Sequence, residues 1–354
     1  MNPNPLLGVL FHWLGGLSSA SFYVPYKRIR LWSWEIFWLT GGIFSWVLAP
    51  WIGAFIGSKD LIHVLSSAPT QTLLVCYLCG AGWGFGGLTF GLTMRYLGLS
   101  LGMAVALGLT TVIGTLGPPI VQGTLGEVIA KHGSQYTFIG IAVVIVGIIV
   151  VAMAGGAKEK QLASVSGDAQ APDRGEFDLK KGLLIAVFSG VMSSFFSFGL
   201  AAGDPIRAAT AAAGTGPLWV GLPVLCVVLA GGFTTNFLWC LYLIAKNKSA
   251  GEWTGKVTGG KAPLLANYTL AALGGTLWYF QFFFYTMGES QMGKFGFSSW
   301  TLHMASIILF STLWGFALKE WKGTASRTQF LVWLGIGTLI ISTVIIGIGN
   351  MLAA

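Results

Sequence analysis

The stretch WYFQFFFYTMG, residues 278–288, sets one amide, Gln281, among seven aromatic side chains. A buried amide without partners costs about 1–3 kcal/mol, so Gln281 is either a tie between helices or one wall of a place where something polar binds. Trp278, Gln281, Phe282 and Tyr285 recur at i, i+3, i+4 and i+7, which gathers them on one helical face with Tyr279 beside it. Few other residues in apolar surroundings can do chemistry. Glu35 lies in WSWEIFW among Trp32, Trp34 and Trp38, His12 in LFHWLGG and His303 in SWTLHMAS. An imidazole exchanges protons near neutrality and bonds hydroxyls, but it also serves as an ordinary packing residue. Glu35 is either a desolvated carboxylate that takes and releases a proton, or an interfacial one paired with Lys27, Arg28 or Arg30. Cys76 and Cys79 form a C-x-x-C without a second pair at ligand spacing. They and Cys226 and Cys240 read as packing residues, and no metal site is expected.

The elements that hold these residues follow from composition. Hydrophobic residues are 54% of 354 and charged residues 9%, against about 25% in a soluble domain. Such a chain cannot cover itself against water and reads as a membrane protein. The charges leave ten apolar stretches, at 5–25, 33–57, 71–94, 99–122, 136–156, 182–203, 217–245, 263–287, 298–318 and 329–351, each near the roughly 20 residues a helix needs to cross the hydrocarbon. They are too long and too uniformly apolar for barrel strands. The N-terminal MNPNPLLGVLF lacks the positive region of a signal peptide, so the first helix is expected to stay. Sixteen of the twenty lysines and arginines fall in the odd-numbered connections, which makes those connections cytoplasmic and both termini periplasmic. The net charge of +8 is then a topology signal helped by anionic lipid, and no nucleic-acid partner is implied.

Residues 158–181 are polar and read as a cytoplasmic linker between two five-helix halves, 1–157 and 182–354. Because five is odd, the second half enters the membrane upside down, the topology of an inverted repeat. Gly80, Trp83, Phe85 and Phe90 match Gly275, Trp278, Phe280 and Tyr285 at a constant offset of 195, and SSASF (18–22) echoes SSFFSF (193–198). The fold expected is an all-α polytopic protein of ten transmembrane helices in two inverted repeats. Glycines along 80–91 allow close helix approach; the G-x-G-x-x-G among them has no strand before it and is no dinucleotide site.

The stretches FYVPYKRIRLWSWE (22–35), GLTMRYLGLSLG (91–102), GGTLWYFQFFFYTMG (274–288), SWTLHM (299–304) and LKEW (318–321) together resemble the bacterial L-rhamnose/proton symporters of the drug/metabolite transporter superfamily. The resemblance covers the whole chain in motif order. It implies an inner-membrane protein that imports a neutral 6-deoxyhexose such as L-rhamnose with protons, by alternating access and without a cofactor other than the proton. A neutral sugar offers C–H faces and hydroxyls, so its site should combine rings with amides, hydroxyls or imidazoles. Gln281, Trp278, Tyr279, Tyr285, His303, His12 and Asn236 are the candidate sugar contacts, and Glu35, His12 and His303 the candidate proton carriers. Asn267 reads as a helix bridge, and Arg95 with Lys319 and Glu320 as topology anchors or gating groups. Asp204 and Glu289 lie outside the motifs and carry less weight. Within the superfamily the rival is a metabolite or drug exporter. A membrane enzyme on lipid-linked sugars would need charged groups clustered at one interface, and the sequence suggests no such cluster.

Overall fold

The computed structural model describes residues 3–166, 178–257, 260–319 and 321–353, leaving aside the side chains at 94–95, 98–101, 103–104, 159, 162–166, 294–295, 350 and 353. The Arg95 side chain, Glu320 and residues 167–177 of the expected linker therefore lie outside the described residues. No strand is found among those described.

Helix α1 (Pro5–Ser21) opens on Asn4, whose side chain accepts from the Leu7 amide at 3.2 Å, with Pro5 in the first turn. It is extended by α2 (Tyr23–Tyr26). The next crossing is α3 (Trp34–Ile43), a five-residue π-helical turn (Phe44–Leu48) and α4 (Ala49–Gly57). After α5 (Leu61–Ser67) come α6 (Thr70–Val121), α7 (Leu125–Ala130) and α8 (Ser134–Ser166). The later part holds α9 (Leu179–Ala202), α10 (Asp204–Ala212), α11 (Leu222–Asn247), a 3-10 turn (Ser249–Thr254) and α12 (Leu264–Gln291). A second 3-10 turn (Gly293–Ser298), α13 (Ser299–Ala317) and α14 (Ser326–Ala353) complete it.

Eight helices among the described residues are long and apolar enough to cross a membrane. The expected fourth and eighth spans are not among them, for different reasons. Val105–Val121 is short. Helix α12 has the length but carries Asn267, Thr269, Thr276, Gln281, Thr286 and Glu289, polarity that a helix tolerates when neighbours shield it. It is shielded here: α1, α2, α3, the π turn and α13 all pack on it.

Helix α6 is too long for one crossing, and its contacts show that it doubles back. Ser189 Oγ donates to the Gly86 carbonyl at 3.0 Å, while Thr110 Oγ1 donates to that of Gly190 at 3.2 Å. Residues 86 and 110 of a straight helix would stand about 36 Å apart, yet both meet one turn of α9. The contacts Cys76–Gly199 and Leu97–Gly182, followed by Gly117–Phe198, show the chain descending along α9 and returning. Elsewhere α1 packs on α12 and α13, α3 on α12, α11 on α6, and α8 on α14.

Helix α8 runs nine residues into the linker expected from 158. AKEKQLAS is a run of good helix formers, and Gln161 ties it to α14 through Thr328 Oγ1 (2.8 Å) and the Ala325 amide (2.8 Å). Residues 217–221, expected to begin a span, instead form turns.

Candidate functional site

At the end of the bundle where α6 stops at Val121, α9 turns into α10 and α12 reaches Gln291, the helices enclose a cavity of about 470 Å³, within the usual range for small-molecule sites. Its rings are Trp300, Tyr285 and Phe297; its hydroxyls and amide come from Thr115, Ser197, Thr286, Ser290 and Gln122; its charges are Arg207, Glu289 and Asp204. Trp300 is held rigidly. Its indole Nε1 donates to the Thr110 carbonyl at 2.9 Å, its ring stacks on Phe196 at 6.0 Å, and Gly114 leaves room for the indole against α6.

Tyr285 joins this cavity to the histidines. Its ring centroid lies 5.3 Å from that of His303 and 5.4 Å from that of His12, and the two imidazoles are 6.2 Å apart. Both imidazoles are buried, and neither nitrogen of either bonds a protein atom. Gly15 and Gly288 make this approach possible, because a Cβ at Gly15 would press on His303 and one at Gly288 on His12. Gln281, one turn below Tyr285 on α12, is buried with its Nε2 also unbonded. It does not line the cavity.

Trp278 and Tyr279 belong to the layer beneath. Trp278 meets Phe22 at 4.2 Å, Phe282 at 6.2 Å and Trp38 at 6.4 Å, and its Nε1 is unbonded. Tyr279 is buried against Gly53 with its hydroxyl unbonded. Trp46 and Trp83 extend this aromatic layer across the bundle. Asn236 is committed within it, accepting from Trp38 Nε1 at 3.0 Å and donating to the Gly232 carbonyl at 2.9 Å.

Beyond that layer the opposite end is tied shut. Asn267 accepts from the Arg30 amide (3.2 Å) and donates to its carbonyl (2.8 Å), the bridge its sequence position suggested. Trp32 Nε1 donates to the Glu252 carbonyl at 2.9 Å and the Ser33 amide to Glu252 Oε2 at 2.5 Å. Glu35 belongs to this seal and lies away from the cavity: its Oε1 accepts from Asn247 Nδ2 (2.9 Å) and Ser249 Oγ (2.8 Å).

Sequence reasoning missed Trp300, Arg207 and Gln122, and placed little weight on Asp204 and Glu289. The expectation that charged groups form no cluster is corrected: Arg207 binds Asp204 at 2.9 Å and Glu289 at 2.7 Å. The legible signal was DPIR, where Pro205 starts a helix and places Asp204 three residues before Arg207. The serines near Gly190 bond within their helix: Ser194 and Ser197 donate to carbonyls of their own helix.

The sequence matches the family described as L-rhamnose-proton symport protein (RhaT) along residues 1–353. It is 38% identical over 350 residues to the L-rhamnose-proton symporter of Mannheimia succiniciproducens, which covers 99% of both chains. Against the L-rhamnose-proton symporter of Cronobacter sakazakii it is 38% identical over 344 residues, 97% of each chain. The L-rhamnose-proton symporter of Enterobacter sp. (strain 638) is 37% identical over 350 residues, again 99% of both.

Proposed function

The chain belongs to the L-rhamnose-proton symporter family, and from that premise we propose that the cavity over Trp300 and Tyr285 is the outward-facing sugar chamber of an importer working by alternating access. The activity is import of L-rhamnose, or a close 6-deoxyhexose relative, with protons; the protein is a transporter and not an enzyme. The observation that carries the chamber reading is the combination in one cavity of two ring platforms, hydroxyls and charged donors, which suits a molecule with C–H faces and several hydroxyls.

This mechanism calls for ten crossings in two inverted halves, and three features support that count. Thr70–Thr93 and Val105–Val121 supply two crossings by doubling back along α9, and α12 is a shielded one. The pairings come in exchanged sets: α1 lies on α12 and α13 as α9 lies on the two limbs of α6, and α3 meets α12 as α11 meets the first limb. Exchange of equivalent contacts lets one fold open to either side. The lysine and arginine distribution supports a reading with the sealed end in the cytoplasm and the cavity in the periplasm, for a chain in the bacterial inner membrane.

Sugar carried past Tyr285 meets His12, His303 and Gln281, whose unbonded nitrogens are hydrogen-bonding capacity unused in this state. Trp278 and Tyr279 then bound the path below, and Glu35 acts at the inner seal, where its bonds to Asn247 and Ser249 must break for inward opening. Labelled L-rhamnose should accumulate in vesicles under an inward proton gradient and fail to do so with an uncoupler; accumulation indifferent to the uncoupler would refute symport. Gln281→Ala should weaken rhamnose binding about tenfold, roughly 1.4 kcal/mol, in a protein that still folds. Unchanged affinity in a calorimetric titration returns Gln281 to helix packing.

A further inference from the structure

The chamber reading leaves one feature unused, the ion pair inside the cavity. The Arg207 and Glu289 side chains are 19% and 21% exposed and Asp204 63%, so the pair stands in the chamber wall and Asp204 at the rim. Partial desolvation of such a pair is unfavourable unless its bonds are good. Two of the five guanidinium N–H groups are taken by the carboxylates, one of them by Glu289. Because the sugar carries no charge, coupling needs a protein group that is protonated in one access state and deprotonated in the other.

We propose that Glu289 is the proton-carrying group and Arg207 the sugar-hydroxyl donor it controls. The inference rests on the cavity being the sugar chamber. With Glu289 ionised, its carboxylate holds Arg207 Nη2. When Glu289 takes a proton from chamber water, one O–H bond forms at the carboxyl and the charge-assisted bond to Arg207 weakens. The planar fork then turns N–H groups onto neighbouring sugar hydroxyls, while Asp204 keeps the guanidinium charge balanced. After the chamber opens inward, the same O–H bond breaks, the proton leaves to cytoplasmic water, Arg207 pairs again with Glu289, and the sugar loses its donors. The sugar itself is unchanged. Proton and sugar therefore favour each other's binding, as reciprocity of linked equilibria requires.

The titratable groups facing Glu289 fit this role. Arg207 and Asp204 come from α10, Tyr285 lies one turn back on α12, His12 reaches Gly288 from α1, and His303 stands behind Tyr285 on α13. Neither histidine lines the cavity, and Glu35 is engaged at the sealed end. Glu289 is thus the cavity carboxylate whose partner a sugar can take over.

The test uses purified protein in weakly buffered detergent with a pH indicator, together with proteoliposomes. In the wild type, rhamnose binding should take up a proton, and affinity should fall at least tenfold as pH rises through the transition. Glu289→Gln should bind rhamnose with pH-independent affinity, take up no proton and exchange sugar by counterflow, yet lose gradient-driven accumulation. Arg207→Lys should bind about tenfold more weakly while keeping the pH dependence, and Glu35→Gln should keep proton uptake. Full accumulation by Glu289→Gln overturns the proposal. Should that variant not fold, Glu289→Asp decides: its shorter carboxylate should move the pH midpoint of binding, and an unmoved midpoint overturns it equally. A wild type that does not bind rhamnose removes the chamber reading itself, a result distinguishable from all of these.

Discussion

Alanine at Gly80 is expected to leave little folded transporter, and alanine at Gly275 to do the same through the equivalent contact. A Cβ at Gly80 would fall inside the carbonyl of Val228 on α11, and one at Gly231 of α11 inside the carbonyl of Tyr77, so the two helices are packed backbone to backbone. A Cβ at Gly275 on α12 would likewise fall inside the Gly41 carbonyl of α3. The obstacle in each case is main chain, which cannot rotate aside as a side chain can. Overpacking of this kind costs about 1–3 kcal/mol and more where helices must separate. Gly87 and Gly91 lie on the same limb of α6, and a Cβ at either meets nothing within 4 Å. Gly80→Ala and Gly275→Ala should therefore lower the melting temperature by at least about 1–4 °C or abolish a monodisperse protein, while Gly87→Ala melts with the wild type. A Gly80→Ala protein that melts with the wild type would show that this close approach is wrong.

The same glycines mark what the sequence could and could not reveal. Apolar runs near membrane length read directly as spans, because bilayer thickness acts on local sequence. The offset of 195 linking Gly80 to Gly275 was also visible, and these two residues meet α11 and α3 in equivalent ways. Other features depend on contacts between distant residues. Nothing near Arg207 in sequence announces Glu289, 82 residues away, and nothing near Glu35 announces Asn247 and Ser249. The short helix α10 reads as a loop because DPIRAATAA is barely apolar, so its arginine was passed over. Within WYFQFFFYTMG the face was legible but its division was not: Tyr285 reaches the cavity, Gln281 stops one turn below it, and Trp278 joins the aromatic layer. Helical periodicity fixes which side chains share a face, not how far up the bundle the open space extends.

Loss of the Trp300 ring should be the heaviest blow to sugar affinity among single substitutions in the chamber. The indole forms a flat wall of the cavity and is immobilised by three contacts, Nε1 to the Thr110 carbonyl, the face to Phe196 and the edge to Tyr285 at 6.0 Å. A fixed ring needs no ordering when a sugar lies on it, so its contact energy appears undiminished in binding. Trp300→Ala should weaken rhamnose binding about 10–100-fold, roughly 1.4–2.7 kcal/mol. It also opens a hole in the core that costs about 3–5 kcal/mol of stability, so affinity has to be measured per folded molecule. Trp300→Phe separates the two effects, because it keeps a ring face while giving up the bond to Thr110, about 1 kcal/mol. The phenylalanine variant should melt below the wild type yet bind rhamnose within about fivefold of it, since the platform survives. If both variants, corrected for folded fraction, bind rhamnose as the wild type does, Trp300 supports the helices alone and the sugar lies elsewhere in the cavity.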